Sequence, residues 1–105
     1  MRQILLRKRT TQQNEPIRLA RLTRHLHARL LDFGPTGPKV SNVNEDTGTI
    51  LAHFPQRNSV DIMTQLQDKC GVLVDIEDDS LKFILSSDIR FEDLDYVWGC
   101  LFELE

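Results

Sequence analysis

No run in this 105-residue chain approaches the ~18 consecutive apolar residues that a membrane-spanning helix requires. The opening Met-Arg-Gln-Ile-Leu-Leu-Arg-Lys-Arg is too short and too basic for a secretory signal. Cysteine is scarce: Cys70 and Cys100 are the two present. Both fall at apolar helical positions, so they read as buried free thiols rather than a disulfide, which fits a reducing cytoplasm. Neither has a histidine nearby in sequence, which argues against a zinc site or an activated nucleophile. Histidine is also sparse. His25 and His27 are two apart on a helical stretch and face away from each other, so they cannot share a metal, and His53 stands alone in a strand. The acids Glu77, Asp78 and Asp79 lack the alternate spacing and the glycine of a calcium loop, and read as turn residues.

Charge is present but divided. Residues 1–39 hold nine Lys or Arg against Glu15 and Asp32, a net of +7, and residues 40–105 hold four basic against fourteen acidic side chains, a net of -10. Halves of opposite sign attract, so the basic half should lie against its own acidic half, another copy's, or an outside acidic partner. Nucleic acid is a poor fit for that partner. The acidic body would repel phosphate, and no aromatic residue lies among the arginines to stack on bases.

One domain fits this length. Residues 1–13 read as a flexible basic arm, with Thr10-Thr11-Gln12-Gln13 offering nothing to bury, and residues 14–105 as a single α+β domain. A first helix is expected from Asn14 as cap, with Pro16 in its first turn and Leu19, Leu22, Leu26 and Leu30 as its apolar stripe. Arg18, Arg21 and Arg29 fall off that stripe, on a solvated face. Gly34-Pro35 stops the helix. Val40 to Val43 reads as a short edge strand. In Gly48 to Phe54, Ile50, Ala52 and Phe54 alternate with Thr49, Leu51 and His53, as in a half-buried strand. Asn58 or Ser59 caps a second helix whose inner face is Ile62, Met63, Leu66 and Cys70, and Gly71 turns it into the strand Val72 to Ile76. Glu77-Asp78-Asp79-Ser80 makes a hairpin to Leu81–Leu85. A last helix buries Phe91, Leu94, Val97, Trp98, Leu101 and Phe102. Strands and helices do not alternate as parallel units. A small antiparallel or mixed sheet of three to four strands, with helices on one face, is the expected architecture.

The succession Gly48-Thr49-Ile50-Leu51, Gly71-Val72-Leu73-Val74, Asp78-Asp79-Ser80-Leu81-Lys82-Phe83 and Arg90-Phe91-Glu92-Asp93-Leu94-Asp95 resembles the C-terminal small domain of fold-type I pyridoxal-phosphate aminotransferases, especially their class V branch. With the first helix included, the resemblance spans about residues 16 to 104. It implies an ancestry in a transferase whose cofactor is pyridoxal phosphate. Lys82 falls where the family carries an arginine that clamps a substrate carboxylate. A lysine supplies charge without the two-pronged fork. Arg90 falls where the family has a helix-capping threonine, leaving Asp88 as the candidate cap. In that family the Schiff-base lysine, the acid that pairs with the pyridine nitrogen, and most of the phosphate cradle belong to a large domain. The lysines here are Lys8, Lys39, Lys69 and Lys82, and none is flanked as the family's Schiff-base lysine is.

The resemblance therefore implies an isolated or truncated small domain with no catalysis, and no bound cofactor, of its own. Its partner would be another copy or a separately encoded large domain. The alternative reading is a stand-alone interaction or small-ligand regulatory module of the ACT or ferredoxin-like kind. Such a module would need no long amphipathic helix ahead of its first strand.

Overall fold

The buried faces of Leu19, Leu22, Leu26 and Leu30 form the inner stripe of the first helix, at the spacing their sequence positions dictate. In the computed structural model, which describes residues 3–7, 13–35 and 37–104, the elements run β1 (Ile4–Leu6), α1 (Pro16–Leu31), β2 (Lys39–Asn44), β3 (Thr49–His53), α2 (Ser59–Gln65), β4 (Val72–Glu77), β5 (Ser80–Ile84) and α3 (Phe91–Glu103). A single π-helical turn, Leu66–Cys70, extends α2 to Gly71, whose φ of +68° ends it.

The strands form one sheet in the order β1-β4-β5-β3-β2. β1 pairs with β4 in parallel, and the other pairings are antiparallel. Helices cover one face, giving the α+β architecture expected, with five strands in place of three or four. The fifth strand lies in the supposed arm. Ile4 and Leu6 are buried and stand opposite Val72 and Val74, so this part of residues 1–13 is an element of the core rather than a frayed tail. Three apolar residues among arginines are too short to display a period, and the hydrogen-bonding edge of β4 supplies what the local sequence cannot. Residues 1, 2 and 8–12 of that arm lie outside the described residues.

Alternation along the strands sets the sheet's two faces. Ile4, Leu6, Ile50, Ala52, Val72, Val74, Leu81 and Phe83 point into the core beneath the helices. Leu5, Leu51, Leu73 and Ile84 share the opposite face with Asp75 and Lys82, all half-buried. Gly48, at the head of β3, adopts φ +71°, and a Cβ there would sit 2.7 Å from Leu19 Cδ1 and 3.0 Å from the Leu85 carbonyl oxygen. That glycine lets α1 approach the start of the sheet.

Two caps differ from expectation. Glu15, not Asn14, caps α1, its carboxylate accepting from the Ile17 and Arg18 amides at 3.1 and 2.7 Å. Asn14 is instead spent on the Ser87 amide, at 2.9 Å. At α3 the cap position is Arg90, not Asp88. The Arg90 amide donates to Asp93 Oδ2 at 3.1 Å, the reverse half of a capping box, while Asp88 accepts from the Ser86 hydroxyl. Asn58 caps α2 as the sequence suggested, accepting from the Val60 and Asp61 amides.

Candidate functional site

Lys82 occupies the centre of β5 on the sheet face turned away from the helices. Its neighbours in β5, Leu81 and Phe83, go to the core, so the pleat puts Lys82 outward. Across the ladders it stands opposite Asp75 on β4 and Leu51 on β3. Its ammonium donates to Glu77 Oε1 at 2.9 Å. A carboxylate ligand at Lys82 would have to compete with Glu77 for a point charge that has no fork to hold a planar group.

The other described lysines, Lys39 and Lys69, are exposed. A Schiff-base lysine needs an enclosed, desolvated setting that holds its amine neutral, and none of Lys39, Lys69 and Lys82 has one. The described lysines do not fit a pyridoxal-phosphate site. Lys8 lies outside the described residues.

A second arrangement, which no motif marks, joins α1 to α3 and to the loop before α3. The loop is gripped from α1's first turn. Glu15 N–H donates to Ser87 Oγ at 2.9 Å, and Arg18 donates from Nε to the Ser87 carbonyl at 2.7 Å and from a terminal nitrogen to the Ile89 carbonyl at 2.9 Å. Further along, His25 Nε2 donates to Asp95 Oδ1 at 2.8 Å, and Arg29 Nε reaches the same oxygen at 2.9 Å. These two bonds, His25's the larger influence, hold the Asp95 carboxyl below its ordinary range. Aromatic rings fill the gaps between the polar contacts. The Arg18 guanidinium lies 5.6 Å from the Phe91 ring centre, and His25 meets that ring edge-on at 5.2 Å. Arg29 lies 5.6 Å from the Trp98 ring.

Beyond Arg29 the seam becomes wholly aromatic. Phe33 contacts Phe54, Trp98 and Phe102 at ring-centre distances of 6.1, 5.9 and 6.0 Å, and Trp98 stacks on Phe102 at 5.5 Å. Phe102 is still 57% exposed, so it forms the outer wall of this cluster rather than part of the core expected of it. The Trp98 indole N–H is buried with no acceptor among the described residues.

Arg18 and Arg29 are thus half-buried bridging residues, not members of a solvated face; Arg21 alone of the three is exposed. The sequence carried a signal for this seam in the opposite net charges of its two halves. Arg24 pairs with Glu45 through two hydrogen bonds, at 3.1 and 2.8 Å, and Arg29 pairs with Asp95, so part of the basic half rests on the chain's own acidic half. His53 is spent on the Asp79 carbonyl at 3.0 Å. Among the described residues, no three His, Cys, Asp or Glu side chains converge as a metal site would require. No described helix is long and apolar enough to cross a membrane.

Known family models were compared with the chain and none matches, and no curated protein is significantly similar to it.

Proposed function

We propose that this chain is a small domain of the aminotransferase kind, folded but non-catalytic by itself, serving as a docking piece of a pyridoxal-phosphate transferase or as a remnant of one. One observation carries the reading: a long helix, α1, precedes the β-α-β-β-α unit and is fastened to α3 and to residues 85–90 through Arg18, His25 and Arg29. That is the element order the resemblance implies. The packing also bears on the alternative, since a stand-alone regulatory module would leave residues 15–33 idle. Burial of Leu19, Leu22, Leu26 and Leu30 makes that segment part of the core instead.

Lys82, where the family carries its carboxylate-binding arginine, offers a point charge on the sheet face turned away from the described helices, opposite Leu51, where a large domain or a second copy would seat. Its pairing with Glu77 is what such a partner would have to displace or extend. Two measurements test the reading. Addition of pyridoxal phosphate, followed by an absorbance scan, should show only free cofactor. A stoichiometric aldimine band would overturn the non-catalytic assignment. Light scattering at high concentration should show self-association, and a strict monomer would count against the docking role.

A further inference from the structure

Helices α1 and α3 lie side by side over the core and turn opposite charges outward. In α1 the sheet-facing stripe is Leu19, Leu22, Leu26 and Leu30. At about 100° per residue the far side carries Ile17, Arg21, Arg24, Ala28 and Leu31, all exposed. In α3 the side away from Leu94, Val97 and Leu101 carries Glu92, Tyr96, Gly99 and Glu103. Both stripes repeat at intervals of four and three, the spacing of a helix-packing seam. The charged members of the first are arginines, and those of the second are glutamates. At Gly99 nothing lies within 4 Å of an added Cβ, so the α3 stripe has an open notch. Five large apolar side chains are exposed among the described residues, and four of them, Ile17, Leu31, Tyr96 and Phe102, lie on or beside this surface. Such clustering marks a contact face.

We propose that this face pairs two copies of the chain about a two-fold axis parallel to the helices, each α1 lying on the other copy's α3. The surface is on the opposite side of the sheet from Lys82 and Leu51, so the proposal does not rest on the docking reading above. α1 and α3 run parallel: Arg18, Arg29 and Phe33 meet Phe91, Asp95 and Phe102 in ascending order. A two-fold axis along that common direction, between the two helices, sets arginines over glutamates. An axis across the helices would set α1 on α1, arginines on arginines, and repulsion disfavours it.

The first arrangement also keeps each residue at its own level along the axis. Within one chain, neighbours at the same level are separated by 66 positions at Arg29–Asp95 and by 70 at His25–Asp95. Midway between those offsets, Arg24 falls opposite Glu92 of the second copy, Ala28 opposite its Tyr96 and Leu31 opposite its Gly99. A cation meets an anion, the smallest side chain of one stripe meets the largest of the other, and a leucine enters the notch. Glu45 uses Nε and one terminal nitrogen of Arg24, whose side chain is still 66% exposed. Glu92, 3.7 Å from Arg90, is 74% exposed. Both can make the added contact. Two helices roughly 20 Å long and 10 Å wide give a footprint of about 400 Å² per copy. That is small for a specific interface, so the dissociation constant should be on the order of 10 µM.

The test is sedimentation of the full chain from about 1 to about 500 µM. Arg24→Glu and Glu92→Lys should each weaken the dimer at least about tenfold with circular dichroism unchanged. An equimolar mixture of the two variants should recover wild-type affinity, because in the mixed dimer every altered side chain meets its opposite charge. Gly99→Gln gains helix propensity, so it stays folded, and should weaken the dimer about tenfold by filling the seat of Leu31. A mixture that stays as weak as its components would overturn the pairing. So would a strict monomer at about 500 µM, which would leave the face to a foreign partner. A dimer indifferent to these variants but broken by Leu51→Glu would also overturn it, while keeping the docking reading and placing the contact on the sheet face.

Discussion

His25 and Asp95, seventy residues apart, meet at 2.8 Å, and Arg29 shares the same carboxylate oxygen at 2.9 Å. The contact joins the basic half of the chain to its acidic half at the seam between α1 and α3. Asp95→Asn keeps the shape and removes the charge. Because the Asp95 side chain is 46% exposed, the expected loss at neutral pH is modest, about 0.5 kcal/mol. The sign of its pH dependence follows from the lowered carboxyl. Its stabilisation is fully present above the unfolded value near 3.8 and is lost as pH falls through the lower folded value. Urea midpoints of the wild type and the variant should differ at neutral pH and converge in acid.

Gly48 and Gly99 should respond oppositely to alanine. At Gly48 the added Cβ meets Leu19 and the Leu85 carbonyl in a backbone of positive φ, so Gly48→Ala should cost roughly 2–3 kcal/mol. At Gly99, inside α3, nothing lies within 4 Å of the new Cβ. Gly99→Ala should therefore raise stability by about 0.5–1 kcal/mol through helix propensity alone. Urea denaturation measures both.

The β4–β5 hairpin turns on Asp78 and Asp79 at φ +50° and +63°. Two successive positive φ angles define the tight hairpin turn that favours Asn-Gly. Replacing the pair by Asn-Gly should raise stability by roughly 0.5–1 kcal/mol. The Asp79 carbonyl, which accepts from Ser59 Oγ at 2.6 Å, survives the change. An unchanged or lower urea midpoint would mean that the two aspartate side chains contribute to the turn as well.

Leu6 distinguishes a core strand from the flexible arm expected of residues 1–13. It is fully buried opposite Val74, so Leu6→Ala should cost about 2–4 kcal/mol. A mobile arm would tolerate the same change within about 0.5 kcal/mol. The urea midpoint, at constant slope, distinguishes the two.

Elements with a period of their own were legible in the residues. The leucine stripe of α1, the alternation Ile50-Ala52-Phe54, the Gly71 stop and the two-aspartate hairpin all state their geometry within a few neighbours. β1 was not legible, because Ile4-Leu5-Leu6 acquires its meaning only from a strand nearly seventy residues away. Nor was the seam through Arg18, His25 and Arg29. An arginine off the apolar stripe reads as solvated until a second helix is laid beside it, and α3 brings Asp95, Phe91 and Trp98 to that place. At Lys82 the outward position was readable from alternation, but the claim of Glu77 on its ammonium was not.

By itself, then, the order of residues determined the segments that carry a period of their own and most of the side chains that each turns inward, since periods of two and near four are set by the backbone within each segment. The tertiary structure alone decided what those faces meet: the N-terminal triplet as a fifth strand, and the cationic helix against its own carboxylates. Those outcomes depend on residues far apart along the chain, and only closure of the whole core brings them within bonding distance.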